Sequence, residues 1–331
     1  MPLKLSVIIC TFGRSKSLNA CLKSLTEQTL GPADFEAIIV YPKTDQESER
    51  VVRQYADKLD ISIIVDPWDG LATARNLGWK KAKNEIVVWL DDDAIASLNW
   101  AKSILETFEK DPEIGGVSGP TIIPENLLGN RDIFSFYKNG GKLNFLGKIW
   151  AWLFLDNRPF EIGKLFKSGA WSPGSNFLQC LKINGLKEVD YLEACNMALR
   201  KDLVEKVNGF DLNFKGTAEW CEIDLAQKVK KLGYKLVFNA EVRVDHCLSQ
   251  QGAFPRRTAA RERMENFFRF YFRHIFKPRP DYILKFSCYV LFLNAYWLIK
   301  TFRTGNINWL SGWTGTIIGI KNLFLKNANR N

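Results

Sequence analysis

Glu85-Ile-Val-Val-Trp-Leu-Asp-Asp-Asp93 is the stretch on which the reading of this chain turns. After Glu85 comes an apolar run of strand length, Ile86–Leu90, which hands over directly to three carboxylates. Like charges stacked at one point repel unless something cationic sits among them. A divalent metal with oxygen ligands, Mg²⁺ or Mn²⁺, meets that need and usually arrives with a phosphate-bearing substrate. In an open α/β sheet, ligands bind outside the carboxyl ends of the strands. The triplet falls at such an end. Taken alone, it is also compatible with a solvated acidic turn that caps the next helix.

Working outward, the first 120 residues alternate strand-like and helix-like segments. Lys4–Cys10, Phe35–Tyr41 and Ile61–Val65 are short apolar runs upstream. Between them lie Ser15–Gln28, with Leu18, Leu22 and Leu25 at helical spacing, then Thr44–Leu59 and Gly70–Lys83. Downstream, Ala94–Lys110 reads as a helix and Gly115–Ser118 leads into a further strand. This alternation predicts a parallel, doubly wound α/β sheet. Residues 125–186 are rich in Gly, Asn, Phe and Trp with weak periodicity, which predicts a functional loop or lid. Order returns with a strand at Tyr191–Leu199 and helices at Asp202–Val207 and Glu219–Leu232. Extended segments follow at Lys235–Phe238 and Val242–His246.

Several motifs in this order resemble family 2 glycosyltransferases with the GT-A fold, a Rossmann-like doubly wound mixed sheet. The resemblance covers about residues 4–250. Ser6-Val-Ile-Ile-Cys-Thr-Phe-Gly-Arg14 looks like the opening strand and nucleotide loop. Gly70-Leu-Ala-Thr-Ala-Arg-Asn-Leu-Gly78 resembles the family's Ala-Arg-Asn helix, and Trp89-Leu-Asp-Asp-Asp93 its DxD motif. Glu193-Ala-Cys-Asn-Met-Ala-Leu-Arg200, Gly209-Phe-Asp211 and Glu219-Trp-Cys-Glu-Ile-Asp-Leu225 look like the acceptor half. Val242-Arg-Val-Asp-His246 is similar to the closing strand.

Moving a sugar from a nucleotide diphosphate requires neutralisation of the leaving diphosphate and removal of a proton from the acceptor hydroxyl. The two groups must stand on opposite faces of the anomeric carbon for an in-line displacement. The resemblance assigns residues to these tasks. Asp93 and His246 would ligate Mg²⁺ or Mn²⁺, Asp91 would contact the ribose, and Asp92 would support both. Thr11, Phe12, Arg14 and Arg75 would hold the nucleotide sugar. Arg75 reads equally well as an ion partner of the triplet. Glu222 takes the base position and Asp224 that of the second acid. Cys221 stands where the family's first acid belongs, and Glu219 would replace it from one turn earlier. The plain alternatives are a polar strand end for His246 and acids complementing a helix dipole for the rest. A base-reading acid after the second strand is missing from Tyr41-Pro-Lys-Thr-Asp45. Tyr41 by stacking, or Asp66, would take over, so the nucleotide stays open.

The 331 residues carry net charge +10, unevenly. From Cys247 onward, 14 Lys and Arg face 3 Asp and Glu, a balance of +11, so the first 246 residues sum to −1. Seven Cys without a CxxC pair suit reduced, buried thiols in a cytoplasmic protein. The apolar part of the N-terminus is too short for a signal peptide. Residues 251–331 form a basic, aromatic tail. Arg257, Arg261, Arg269, Arg273 and Lys277 recur at steps of four or eight and predict one basic helical stripe. Tyr282–Ile299 is apolar and borderline in length for a span. Attachment through residues 253–331 to the cytoplasmic face of the cell membrane is expected, against a true span or a helical cap. A basic excess confined to an apolar tail suits lipid better than nucleic acid.

The predicted function is an inverting, metal-dependent transferase that moves a sugar from a nucleotide sugar donor to a glycan or lipid-linked acceptor. No Gln-x-x-Arg-Trp motif is present, which favours single additions. The competing classes are a sugar nucleotidyltransferase-like enzyme and a non-catalytic basic protein that binds membrane or nucleic acid.

Overall fold

The computed structural model describes residues 2–31, 33–67, 69–124, 127, 136–138, 142–249 and 260–328, with backbone alone for 324–328. Its centre is an eight-stranded mixed sheet in the order β10-β12-β6-β11-β4-β1-β2-β3. The strands are β1 (Leu5–Cys10), β2 (Phe35–Pro42), β3 (Ile61–Asp66), β4 (Ile86–Leu90), β6 (Ile114–Ser118), β10 (Leu186–Glu188), β11 (Asn196–Arg200) and β12 (Lys235–Asn239). From β3 to β4 the pairing is parallel, as the alternation predicts. β11 then enters antiparallel between β4 and β6.

Side chains on successive strand positions point to opposite faces. Val7, Ile9, Ile39 and Val88 therefore pack against α1 (Ser15–Thr26), α2 (Gln46–Arg53) and α4 (Trp100–Lys110). Ile8, Ile38, Val87 and Trp89 pack on the other face with α3 (Leu71–Lys81), α6 (Lys201–Lys206) and α7 (Cys221–Lys231). Each such fully buried aliphatic side chain contributes about 1.5–3 kcal/mol. Gly78 lets α3 lie close on β1, because a Cβ there would collide with Ile8.

Three elements depart from the sequence reading. Ala94–Ala96 is a short strand, β5, and α4 starts only at Trp100. β5 joins β13 (Val244–His246) and β7 (Thr121–Ile122) in a small second sheet. That pairing satisfies backbone groups that a helix would otherwise have used. The strand predicted at Tyr191–Leu199 runs from Asn196 to Arg200. The helix predicted at Thr44–Leu59 is only Gln46–Arg53, capped by Asp45, whose side chain accepts from the Ser48 amide at 3.1 Å.

The insertion is more ordered than its weak periodicity suggests. It contains a small hairpin, β8 (Tyr137–Lys138) with β9 (Lys142–Leu143), and the helix α5 (Phe145–Phe154). The tail forms α8 (Ala260–His274), α9 (Pro280–Thr304) and α10 (Ser311–Ala328). Insertion and tail share a third apolar cluster that includes Trp150, Phe154, Phe177, Phe267, Tyr271 and Trp297. The predicted basic stripe is open only in part, with Arg261 and Lys277 exposed. α8 buries Met264, Phe267, Phe268, Phe270 and Tyr271 as a core helix. Arg273 turns inward to Asp211 and Asp224 at 2.8 and 2.7 Å, and Arg261 pairs with Glu265. Arg257 lies outside the described residues. α9 has 25 residues, of which an 18-residue stretch has mean hydropathy 1.4, long and apolar enough to cross a membrane by length and composition.

Candidate active site

β4 delivers Asp91 at its carboxyl end, and β5 begins immediately after Asp93. Because β13 pairs antiparallel with β5, His246 lies opposite Ala94, one residue from Asp93. The Nε2 of His246 stands 3.2 Å from Oδ1 of Asp93. Ligand atoms of Asp91, Asp93 and His246 all lie within 4.8 Å of one another. Oδ1 of Asp93 is buried without a well-aligned donor, while Oδ2 accepts from the Ser249 amide at 2.8 Å. Two carboxylates and an imidazole are a donor set that fits a hard divalent cation.

Thr11 and Arg14 gather on the triplet. The Thr11 hydroxyl donates to Asp92 at 2.7 Å, and Nη1 of Arg14 reaches Asp92 at 2.8 Å and Asp93 at 3.2 Å. Phe12 is half-buried in the turn between them. Two buried carboxylates share one guanidinium, so their proton affinities separate. Burial raises the Asp92 carboxyl, Arg14 only partly offsets this, and neighbouring Asp93 adds to the rise. Burial works against Asp93 as well, but His246 and Arg14 outweigh it and hold that carboxyl below the usual range.

The triplet is joined to α7 through Arg75. One turn before Gly78 on α3, this buried guanidinium bonds Glu222 through Nη1 and reaches Asp91 through Nη2 at 3.4 Å. The ring of Phe210 lies 5.6 Å away. Burial disfavours the charge on Arg75, but Glu222, Cys221 and Asp91 more than compensate, so it stays protonated. Both readings of Arg75 expected from the sequence thus concern the same atoms, and here it pairs with Asp91.

The other two acids of α7 and its approach lie apart. Glu219 accepts from Nε of Arg263 at 2.6 Å, on the tail. Asp224 is completely buried among tail side chains, 2.7 Å from both Arg273 and His274, with Lys228 at 2.8 Å. Burial alone would raise its carboxyl, but His274 and Lys228 reverse that and bring it down to about 2. The structure therefore does not bring Asp224 together with Glu222 and the triplet. Nor does it bring Tyr41, which is 2% exposed inside the core and offers no stacking face. Asp66 is buried at the end of β3. With Asp91 it presses on the Cys10 thiol, which burial pushes up to about 12 against the pull of Arg75.

Tail partners of the site were not legible as such. Arg273 reads as part of a basic stripe until α8 folds back, and His274 carried no signal. Glu193 gave a stronger signal in its motif, but its role shows only in three dimensions. It is half-buried, its amide donates to the Ser118 hydroxyl at 3.2 Å, and desolvation raises its carboxyl despite the bond from Ser175.

Comparison with known proteins gives one consistent answer. Residues 6–156 match the model of Glycosyl transferase family 2. A glucosyl-dolichyl phosphate glucuronosyltransferase of Haloferax volcanii is 24% identical over 255 residues, covering 74% of this chain and 70% of that protein. Among solved structures, S. aureus TarS superposes with TM-score 0.55 at 14% identity, over 96% of this chain and 81% of that one. A mannosyltransferase of Pyrobaculum calidifontis, solved with GDP-Man and Mn²⁺, gives 0.53 at 17% identity over 98% and 88%.

Proposed function

The chain belongs to glycosyltransferase family 2 and has the GT-A fold, and from that premise we propose an inverting, metal-dependent transfer of single sugars from a nucleotide diphosphate sugar. The acceptor is a hydroxyl of a glycan or of a lipid-linked sugar, met at the cytoplasmic face of the cell membrane. Similarity to a transferase named for a dolichyl phosphate substrate supports the lipid-linked choice.

The observation that carries the reading is the bridge made by Arg75 between Asp91 and Glu222. It ties a donor-side carboxylate to the one carboxylate of α7 that faces the triplet. Asp91, Asp93 and His246 would hold Mg²⁺ or Mn²⁺, which when bound neutralises the leaving diphosphate as a Lewis acid. Thr11 and Arg14 hold Asp92 and Asp93 in place and line the approach of the nucleotide. Arg75 holds the Glu222 side chain on the side of α7 that faces the triplet, where it would accept the acceptor's proton. Glu222 is 7% exposed, so little bulk water competes for that proton. We assign no chemical step to Asp224, Glu219 or Tyr41.

A thermal-shift panel of UDP, GDP, dTDP and CDP with Mn²⁺, Mg²⁺ or chelator tests this. A diphosphate at 100 times its Kd adds about 2.7 kcal/mol of stability. One nucleotide is expected to stabilise only with metal, and Asp93→Asn to lose that response. Stabilisation by none, or an unchanged response in Asp93→Asn, overturns the donor-site assignment.

A further inference from the structure

α5 lies in the insertion, outside the tail to which membrane attachment is assigned above. Its Gly147, Trp150, Ala151 and Phe154 are buried. Its opposite side leaves Phe145 75%, Leu146 63% and Trp152 64% exposed, beside Ile149 and Leu153. Soluble monomers rarely leave so contiguous an apolar face uncovered. α9 shows the same division along its whole length. Leu284, Cys288, Leu291, Ala295, Leu298 and Phe302 recur at steps of three or four and are all exposed. Phe286, Tyr289, Asn294, Trp297 and Thr301 on the other side are buried. The two helices abut, with the ring of Phe154 4.9 Å from Tyr289 and 5.3 Å from Phe292.

Resting on that membrane reading, we propose that α5 and α9 form one apolar platform that lies in the plane of an anionic lipid surface without crossing it. A crossing α9 would have to give up its packed side, including the bond from Asn294 to Thr316 at 3.0 Å. It would also have to break the ion pair of Lys285 with Asp156, which ties its first turns to the end of α5. A helix with one face packed and one face apolar is satisfied at the interface instead. The charge pattern names the lipid. Lys142 and Lys148 are exposed at α5, and Lys277 and Arg303 at the two ends of α9. The balance of +11 from Cys247 onward attracts anionic headgroups and repels a second copy of the same face.

Flotation of the full chain with phosphatidylcholine vesicles, with and without phosphatidylglycerol, tests the proposal. Wild-type protein is expected to float with the anionic vesicles. The double variants Phe145→Asp/Trp152→Asp and Leu291→Asp/Phe302→Asp should each partition at least about tenfold less. Their melting temperature and nucleotide response should stay unchanged, because the replaced side chains are exposed. Cysteines placed at Lys277 and Thr304 should both react with an impermeant maleimide added outside. Labelling of one end alone means that α9 crosses, and overturns the in-plane arrangement. If the α5 variant floats like wild type while the α9 variant does not, the platform fails and tail attachment stands. If wild-type protein does not float, attachment fails with it. Light scattering then shows whether a second copy covers the face, and the nucleotide response tells separately whether the transferase reading survives.

Discussion

Glu222 and Asp224 stand two residues apart in the first turn of α7, yet they belong to different parts of the molecule. Glu222 faces the donor half and meets Arg75 from α3. Asp224 faces the tail and meets Arg273, His274 and Lys228. A helix turns about 100° per residue, so positions two apart cannot share a face. The same turn thus presents one carboxylate to Arg75 and the triplet and the other to the tail. The approach to α7 is strained to match. Ala218 and Trp220 adopt φ of +54° and +76°, a region that costs a non-glycine residue of order 1–3 kcal/mol. The Trp220 ring stacks on Phe270 of α8 with centroids 5.0 Å apart, so the tail braces the turn that aims Glu222.

The sharpest way to break this contrast is Glu222→Gln. With the proton acceptor gone, turnover should fall about 10²–10⁴-fold, while metal-dependent donor binding persists. Single-turnover rates alongside nucleotide titration check it. Near-normal turnover would remove Glu222 as the base. Asp224→Asn should do the opposite. It leaves Arg273, His274 and Lys228 without their shared anion and should cost about 3 kcal/mol of stability. Turnover per folded molecule should change only a few-fold.

The pH dependence of Asp224→Asn has a definite sign. Folding lowers the Asp224 carboxyl to about 2 from an ordinary value near 3.8. Its stabilisation is therefore fully present above about pH 4 and is lost as pH falls through the folded value. The gap in melting temperature between wild type and Asp224→Asn should narrow from pH 4 to pH 2. A constant gap would mean that the charge of Asp224 is not what holds the tail.

The donor half was legible in the sequence because its signals are local. Apolar runs of strand length, helical spacing in α1 and the carboxylates after β4 each determine their own neighbourhood, and the parallel order of β3 to β4 follows. Three things were not local. β5 forms only because β13 comes back to pair with it, and that long-range pairing is what sets His246 beside Asp93. The insertion reads as irregular because its apolar residues find their partners in the tail more than a hundred residues later. The tail's basic residues read as a helical stripe because nothing in their spacing tells that Arg273, with its neighbour His274, meets Asp224. Motifs named the candidate residues of the site, whereas the side of α7 that each acid occupies had to come from the fold.

Glu219→Gln is the smallest change and the finest test of the contrast. The family resemblance offers Glu219 as the replacement for the acid missing at Cys221, one turn before Glu222. Its carboxylate is instead held by Arg263 of α8, and both side chains keep about a quarter of their surface in solvent. A partly exposed pair of this kind contributes about 0–1 kcal/mol. Loss of the charge should therefore lower stability within that range and leave turnover within about threefold of wild type. If turnover drops a hundredfold with the melting temperature unchanged, Glu219 works on the acceptor. The division of labour would then run between Glu219 and Glu222 rather than between Glu222 and Asp224. Comparing Glu219→Gln with Arg263→Met separates the two outcomes. A purely structural pair gives the same small loss of stability from either side, whereas a catalytic Glu219 makes only its own replacement costly to the rate.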